Sequence, residues 1–445
     1  MKQWMASMAL LGFAAPALAE TPAAVAGRWG LTVERFGVPS YGELLLTQHG
    51  ERVTGTLSGI AVTGVIAGGA FHLDGKDFSQ EPVTGDATVT ADRMHGTITM
   101  TDGFFGRPTT FTFTAVRAGG PASGPPRRHD FAPTDFHREF SALVAPALVV
   151  APGDTIQTIT LDAAGADATG RPRALGGNPQ TGPFYVAGAL PGDTLVVHVR
   201  RLRLNRDYAI SDDAIVRRGL DPDLAVQMKD GGKPVRWRLD RTRGLATLER
   251  PGEHTGAYAV PVRPMLGCIA TAPSPDSGAP SARDSGPYGG NMDFNEIVEG
   301  ATVYLPVFVP GALLYFGDGH ALQGDGEING NALETSLDVE VSVELVHGSR
   351  IMAPRVENDT YIMGMGLAGS IDDAYRAANA NLAAWLRRDY HLTPSELAEV
   401  MGTAVEYRIS EVADRNAGVV AKLSKARLAR LSTEIQPPPP SPKGR

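Results

Sequence analysis

The feature that most constrains this chain is its punctuation. Glycine (52) and proline (33) recur through 445 residues, and between them lie short runs in which apolar and polar residues alternate. Alternation with period two places one face of a segment in a core and the other in water, so such runs read as strands and the Gly, Pro, Asn and Asp clusters between them as turns. Glu43-Leu44-Leu45-Leu46-Thr47 and Thr97-Ile98-Thr99-Met100-Thr101 are examples, with turns at His49-Gly50 and Asp74-Gly75. Such a composition suits many short strands joined by turns better than a helical bundle.

The strand pattern divides the chain. Residues 20–117 predict a small antiparallel β-domain of successive hairpins, a sheet or a barrel. Within it Arg52-Val53-Thr54-Gly55-Thr56-Leu57 and Arg93-Met94-His95-Gly96-Thr97-Ile98 echo each other. Its opening, Gly27-Arg28-Trp29, resembles small β-barrels that set a Trp at the start. Residues 118–133 are rich in Gly, Pro and Ser and read as a linker. From about Thr134 the chain is β-rich again, with Pro-Gly-Asp turns at Pro152 and Pro191 and a Pro-Gly turn at Pro310 between two strand-like runs. This predicts a β-sandwich or barrel core for residues 134–432.

The period changes near the C-terminus. Ala374, Ala377, Ala378, Leu382, Trp385 and Leu386 fall on a helical stripe that begins near Ser370. Thr393-Pro394-Ser395-Glu396 carries an N-cap, a Pro at the first helical position and a capping-box Glu. It predicts a second helix running to about Val412. The tail, residues 433–445, contains a proline run and reads as disordered.

Residues 1–19 read as a secretory signal peptide: Lys2, an apolar stretch from Met5 to Phe13, and Ala17-Leu18-Ala19 before Glu20. The stretch is too short to span a bilayer, and no other run is long and apolar enough to do so. A periplasmic or secreted protein is expected. Cys268 is the single cysteine, so there is no internal disulfide, and core, bound metal or assembly must supply stability. A net charge of -8 excludes the basic footprint of a nucleic-acid binder.

The densest polar cluster is Gly317-Asp318-Gly319-His320-Ala321-Leu322-Gln323-Gly324-Asp325-Gly326-Glu327, which follows a strongly apolar run. A second glycine-rich polar segment, Gly289 to Glu296, lies upstream. An imidazole with carboxylates is a ligand set for zinc or another divalent metal. A calcium-like structural loop, or simple turn chemistry, fits the same residues. Other schemes find less support: there is no Gly-x-Ser-x-Gly elbow and no His-Glu-x-x-His helix. Cys268 sits in an apolar context that suits a small buried side chain. His198 and His347 lie in strand-like runs and read as structural.

These segments in order are more specific than any one of them. Gly290-Asn291-Met292-Asp293, then Tyr304 to Leu314 with its Pro310-Gly311 turn, then Gly317-Asp318-Gly319-His320 through Gly324-Asp325-Gly326-Glu327, resemble the signature of the acetamidase/formamidase family. Thr181 to Val186, Ala189 to Leu195, the helix pair, and Gly267 to Pro273, which is similar to a family turn, extend the resemblance from about Thr134 to Leu431. The resemblance implies a mainly β fold and cleavage of short linear or cyclic amides to a carboxylate and ammonia or an amine. It also implies a divalent metal, zinc above all, while the acidic, glycine-rich loops by themselves leave calcium open as a structural ion.

On this basis His320, Asp293, Asp162 and His137 are the expected metal ligands. Glu327 is the expected general base, with Asp325 as its substitute, and Asp318, Gln323 and Asn291 are expected to orient the substrate or the ligands. The partner is a small amide, and a homo-oligomer is plausible for a chain with sheet edges to cover. Two departures stand out. The N-terminal domain and signal peptide are additions to the family's usual form, and Ala270 replaces a usual Gly, which should alter a nearby pocket wall. Two rival readings stand beside the amidase: an exported binding protein that kept the fold without turnover, and an enzyme using Cys268 as nucleophile.

Overall fold

The computed structural model describes residues 24–431 except 104–105, 119–123 and 229–231. The signal-peptide run and the Pro-rich tail lie outside the described residues. Three β-assemblies make up the chain: a closed eight-stranded barrel, an 11-stranded sheet and a 9-stranded sheet. The protein is mainly β, as the alternation predicts.

The barrel runs from Gly27–Arg35 to Arg107–Arg117, each strand antiparallel to the next, with the first and last paired to close the wall. Its interior is packed with Trp29, Leu44, Leu73, Met94, Ile98 and Phe113, all buried. Trp29 is anchored by a hydrogen bond from its Nε1 to Val25 O (2.8 Å), and the Arg117 guanidinium lies over its ring. The two echoing hexapeptides are the third and seventh strands, and the shared glycine has a reason. A Cβ on Gly55 would stand 2.0 Å from Leu45 O, and one on Gly96 would stand 1.9 Å from Asp86 O. Only glycine lets neighbouring strands approach so closely where a small barrel bends.

The barrel docks on the rest of the chain through Arg28, which pairs with Glu43 and, at 2.6 Å, with buried Asp193. Tyr41 of the barrel packs on a cluster formed by Phe140, Ala282, Tyr288 and Tyr315. Arg128–Asp130, within the sequence expected to be linker, forms a strand parallel to Thr155–Ile159.

The two large sheets share one core, which is sandwich packing. Leu195, Val197, Val339, Val341 and Val343 come from the 9-stranded sheet, and Leu266, Ile269, Leu314 and Phe316 from the 11-stranded one. Along Leu337–Val346 the inward valines alternate at first with Asp338 and Glu340. In the 11-stranded sheet, Leu314–His320 and Met265–Thr271 are buried at every position. They are central strands and read as continuous rather than alternating runs.

Helix Ile371–Tyr390 starts at Ser370, whose side chain accepts from Asp373 N, and lays Ala374, Ala378, Leu382 and Trp385 on strand Tyr361–Ala368. Gly364 and Gly366 make the approach possible, since a Cβ on Gly366 would stand 2.0 Å from Ala374 O. Burial of a large apolar side chain such as Leu382 contributes about 1.5–3 kcal/mol. The second helix, Pro394–Ala404, has the complete capping box at Thr393 and Glu396. It ends eight residues before the expected Val412. Glu406–Glu411 instead pairs with Ala417–Ser424, because the backbone of Tyr407, Arg408 and Ile409 completes a sheet edge there. No helix among the described residues is long and apolar enough to cross a membrane.

Candidate metal centre and active site

Four neighbouring strands of the 11-stranded sheet build the site. Strand Leu314–His320 lies beside Met265–Thr271, which pairs with Gly289–Asn291 on its far side. On the other side of Leu314–His320, Glu334 stands opposite His320. The glycine-rich segment expected to be a loop is therefore strand as far as His320, and the chain turns only beyond it.

His320 is fully buried and central. Its Nε2 lies 3.2 Å from Glu334 Oε1, 3.5 Å from Asp318 Oδ2 and 3.9 Å from Asp293 Oδ1. Asp293, Asp318 and His320 form one group able to hold a metal ion, and His320, Glu327 and Glu334 form another. Asp293 Oδ1, Asp318 Oδ1, His320 Nε2 and Glu334 Oε2 are buried, and among the described residues none has a hydrogen-bond partner. Buried oxygens of this kind are normally satisfied. The carboxylates of Asp293, Asp318 and Glu334 each bring one oxygen to within 4 Å of one imidazole nitrogen, which is the arrangement a divalent cation requires.

The backbone is shaped to the same end. Asp293, Asp318 and Glu327 all have positive φ (41°, 57° and 46°). For residues with a Cβ this conformation costs roughly 1–2 kcal/mol each, and it turns three carboxylates toward one point. The floor is Gly267, where a Cβ would stand 2.5 Å from Asp293 Oδ1 and 2.7 Å from Asp318 Oδ2.

Side-chain amides hold the donors in place. Gln323 Nε2 donates to the carbonyls of Asp293 and Ser410, which turns its Oε1 toward His320 Nδ1 at 3.0 Å. An acceptor there fixes the proton on Nδ1 and leaves Nε2 for a metal. Asn291 Nδ2 donates to Asp293 Oδ2 at 2.5 Å, and Asn178 Nδ2 donates to Asp318 Oδ2 at 3.1 Å.

Crowding shifts the titrations. Burial raises the Asp293 carboxyl well above its usual range; Glu327 and Asp318 add to this and His320 opposes it. Burial likewise raises Glu334, against His320 and with Asp318 and Glu327. Burial would lower His320, but Glu334 and Asp318 outweigh it and raise it well above its usual value. Burial pushes Glu327 up to about 7, with His320 opposing and Asp318 and Asp414 adding. So many acids in one dry site cannot all be charged without a counter-cation.

The structure brings His320, Asp293, Asp318, Asn291, Gln323 and Glu327 together. It places three other expected residues elsewhere. Asp162 gives its carboxylate to Arg206 at 2.8 Å and to the N–H of Ala166, and stands outside both donor groups. His137 lies in a separate groove, its ring edge toward Tyr315. Asp325 is exposed and paired with Arg408 at 2.6 Å. Gly267 to Thr271 is strand rather than turn, and Ala270 packs beside Phe140 and Tyr315.

Sequence reasoning missed Glu334, Asn178, Gly267 and Asp414. Asn178 follows Gly176-Gly177 and precedes Pro179, a polar turn of the same kind as those singled out. Asp414 lies in the turn between Glu406–Glu411 and Ala417–Ser424, and only the pairing of those strands carries it to the cavity. Glu334 carries no local signal, because only the pairing with His320 gives it a role.

Among known proteins, residues 277–424 match the Acetamidase/Formamidase family. An acetamidase of Mycolicibacterium smegmatis is 44% identical over 61 residues, 14% of this chain and 15% of that protein. A formamidase of Methylophilus methylotrophus is 31% identical over 149 residues, 28% of this chain and 36% of that protein. The chain thus spans well under half the length of these curated relatives. The solved structure of an acetamidase from Yersinia enterocolitica superposes with a TM-score of 0.60 at 28% identity, covering 70% of this chain and 96% of that one. Over residues 277–424 the chain is thus similar to the acetamidase/formamidase family, and its fold is that of solved acetamidases.

Proposed function

We propose that this protein hydrolyses the carbon–nitrogen bond of a non-peptide amide, releasing a carboxylate and ammonia or an amine, with the help of a divalent metal. The observation that carries the reading is the buried cluster of Asp293, Asp318 and Glu334 carboxylates around His320 Nε2, each with an oxygen that has no hydrogen-bond partner among the described residues, in a chain similar to this family. His320, Asp293, Asp318 and Glu334 would hold the ion. One imidazole with carboxylates suits zinc, whereas calcium takes six to eight oxygens. When bound, the ion supplies a Lewis acid that polarises the amide carbonyl and lowers the pKa of water.

The remaining work falls to the chain. Glu327 has one oxygen fixed by the N–H of Ala332 at 2.9 Å and lines the small cavity beside Asp318 and Glu334. It is placed to take the proton of the attacking water and return it to the leaving nitrogen. Asn178, Asn291 and Gln323 hold Asp318, Asp293 and His320 in position. Burial of the cluster keeps bulk water from competing. Export to the periplasm or the medium is part of the proposal and rests on the run from Lys2 to Glu20.

The test is ammonia release by purified protein across formamide, acetamide, longer amides and cyclic amides, with metal content measured alongside. Activity should vanish on chelation and return with zinc, and His320→Ala should lose both metal and turnover. A His320→Ala protein with full metal and full activity would sink the proposal. Thermal stabilisation by amides without ammonia release would instead favour a binding protein.

A further inference from the structure

The acidic cavity is small, about 30 Å³, and is lined by Asn178, Asn291, Asp318, Glu327, Glu334 and Asp414, among others. That is space for about one water-sized group, so only the reacting end of a substrate can enter. A groove of about 710 Å³ lies outside it, lined in part by His137, Arg138, Gly177 and Arg283.

The two spaces adjoin. Arg283 lines both. Gly177 lines the groove and the next residue, Asn178, lines the cavity. The Arg138 and Arg283 side chains flank Gly177, each with its Cδ within 4 Å of where a Cβ would be.

Charge changes sign along this path. The cavity is acidic. The groove offers two guanidinium groups and an imidazole against one carboxylate, Glu139. Next to Arg283, Asp284 is occupied by Arg415 at 3.2 Å. Among the described residues the Arg283 guanidinium closes no salt bridge of its own; it is felt by Asp414, whose raised carboxyl it pulls back down. Arg138 spends one Nη on Gly176 O (3.2 Å) and keeps its other donors. An unpaired guanidinium at the mouth of a site is the geometry for bidentate capture of a carboxylate.

We infer that the substrate carries a carboxylate besides its amide, and that Arg283, assisted by Arg138, binds that carboxylate in the groove while the amide end enters the acidic cavity. The substrate class is the half-amide of a dicarboxylic acid. This rests on the hydrolase reading above, and it gives Arg283 a specificity role without a part in bond cleavage.

The test separates binding from turnover. Calorimetric titration of the zinc-loaded Glu327→Gln protein, which lacks the proposed general base and so holds the amide without turning it over, compares succinamate, a half-amide, with succinamide, its neutral diamide. A charge-assisted bond predicts about tenfold or greater preference for succinamate. Adding Arg283→Gln should cut that preference to about threefold or less, with succinamate losing more affinity than succinamide, and Arg283→Lys should keep part of it. Equal affinity of the Glu327→Gln protein for both compounds, or a preference that survives the added Arg283→Gln, overturns the inference. Ammonia release from either compound by the wild type is read separately and decides the hydrolase reading, so the two failures are distinguishable. Arg283 is exposed, so its replacement leaves the fold intact.

Discussion

Glu334 and His320 face each other across two paired strands, with Glu334 Oε1 3.2 Å from His320 Nε2. The other Glu334 oxygen is buried and unpartnered. This pairing is the contact that turns a polar strand end into a closed ligand set. Glu334→Gln removes one anionic donor and keeps its shape. The expected outcome is a loss of metal affinity at least as large as the roughly 10–100-fold that follows loss of a supporting hydrogen bond. Chelator competition with metal analysis reads it, and a variant that holds metal like the wild type would exclude Glu334 from the set.

Gly267 supplies the space in which these donors meet. A Cβ there would lie 2.5 Å from Asp293 Oδ1, 2.7 Å from Asp318 Oδ2 and 2.9 Å from His320 Cε1. The neighbours are the donors themselves, so they cannot give way without leaving the site. Gly267→Ala should fold, at an overpacking cost of about 1–3 kcal/mol, yet fail to load metal or release ammonia. Thermal unfolding and metal content measured on one preparation check both halves. Normal metal loading in Gly267→Ala would show that the donors do not converge over this glycine.

The sequence made the β-architecture legible because alternation and turn residues are local signals. The barrel hairpins, the Thr393 capping box and the His320 segment all announce themselves in a few residues. What stayed hidden depends on pairing between distant strands. Glu334 matters only because its strand lies against His320, and Asp162, although at a strand end, is drawn off by Arg206 from elsewhere in the chain. The stretch after Ala404 was read as helix because a good start signal says nothing about where a helix stops. There Glu406–Glu411 is claimed by the neighbouring strand.

Cys268 has a position that the sequence's apolar context only half conveys. Its thiol is buried, as expected, but points at Asn291 Oδ1 (2.8 Å) and lies 3.7 Å from Asp318 Oδ2. Burial raises it well above a free thiol, with Asp318 and Asp293 adding, so it is held neutral and is a poor nucleophile. Cys268→Ser keeps a donor for Asn291 and should leave kcat/KM within about threefold, under 1 kcal/mol of barrier. Loss of activity with metal retained would instead revive the cysteine-nucleophile mechanism.

Asp154 ties the segment after the barrel to the core, and its charge is the reason. The carboxylate accepts from Arg127 N at 2.8 Å and Ala151 N at 3.0 Å, and meets His129 Nε2 at 2.7 Å. Burial alone would raise the carboxyl, but the N–H of Ala151, the His129 imidazole and the N–H of Arg127 more than offset it and hold it below the usual value. A carboxyl depressed in the folded state adds stability above its unfolded pKa, and that stability is lost as pH falls through the folded value. Asp154→Asn should therefore cost about 2 kcal/mol at neutral pH, the scale of hydrogen bonds to a charged group. The gap between wild type and variant should begin to close as pH falls through about 4, the ordinary aspartate value, and be smallest well below it. Denaturant unfolding of both proteins from neutral to acid pH measures that gap directly. A gap of constant size across the range would mean that the carboxylate's charge contributes nothing and that shape alone holds this junction.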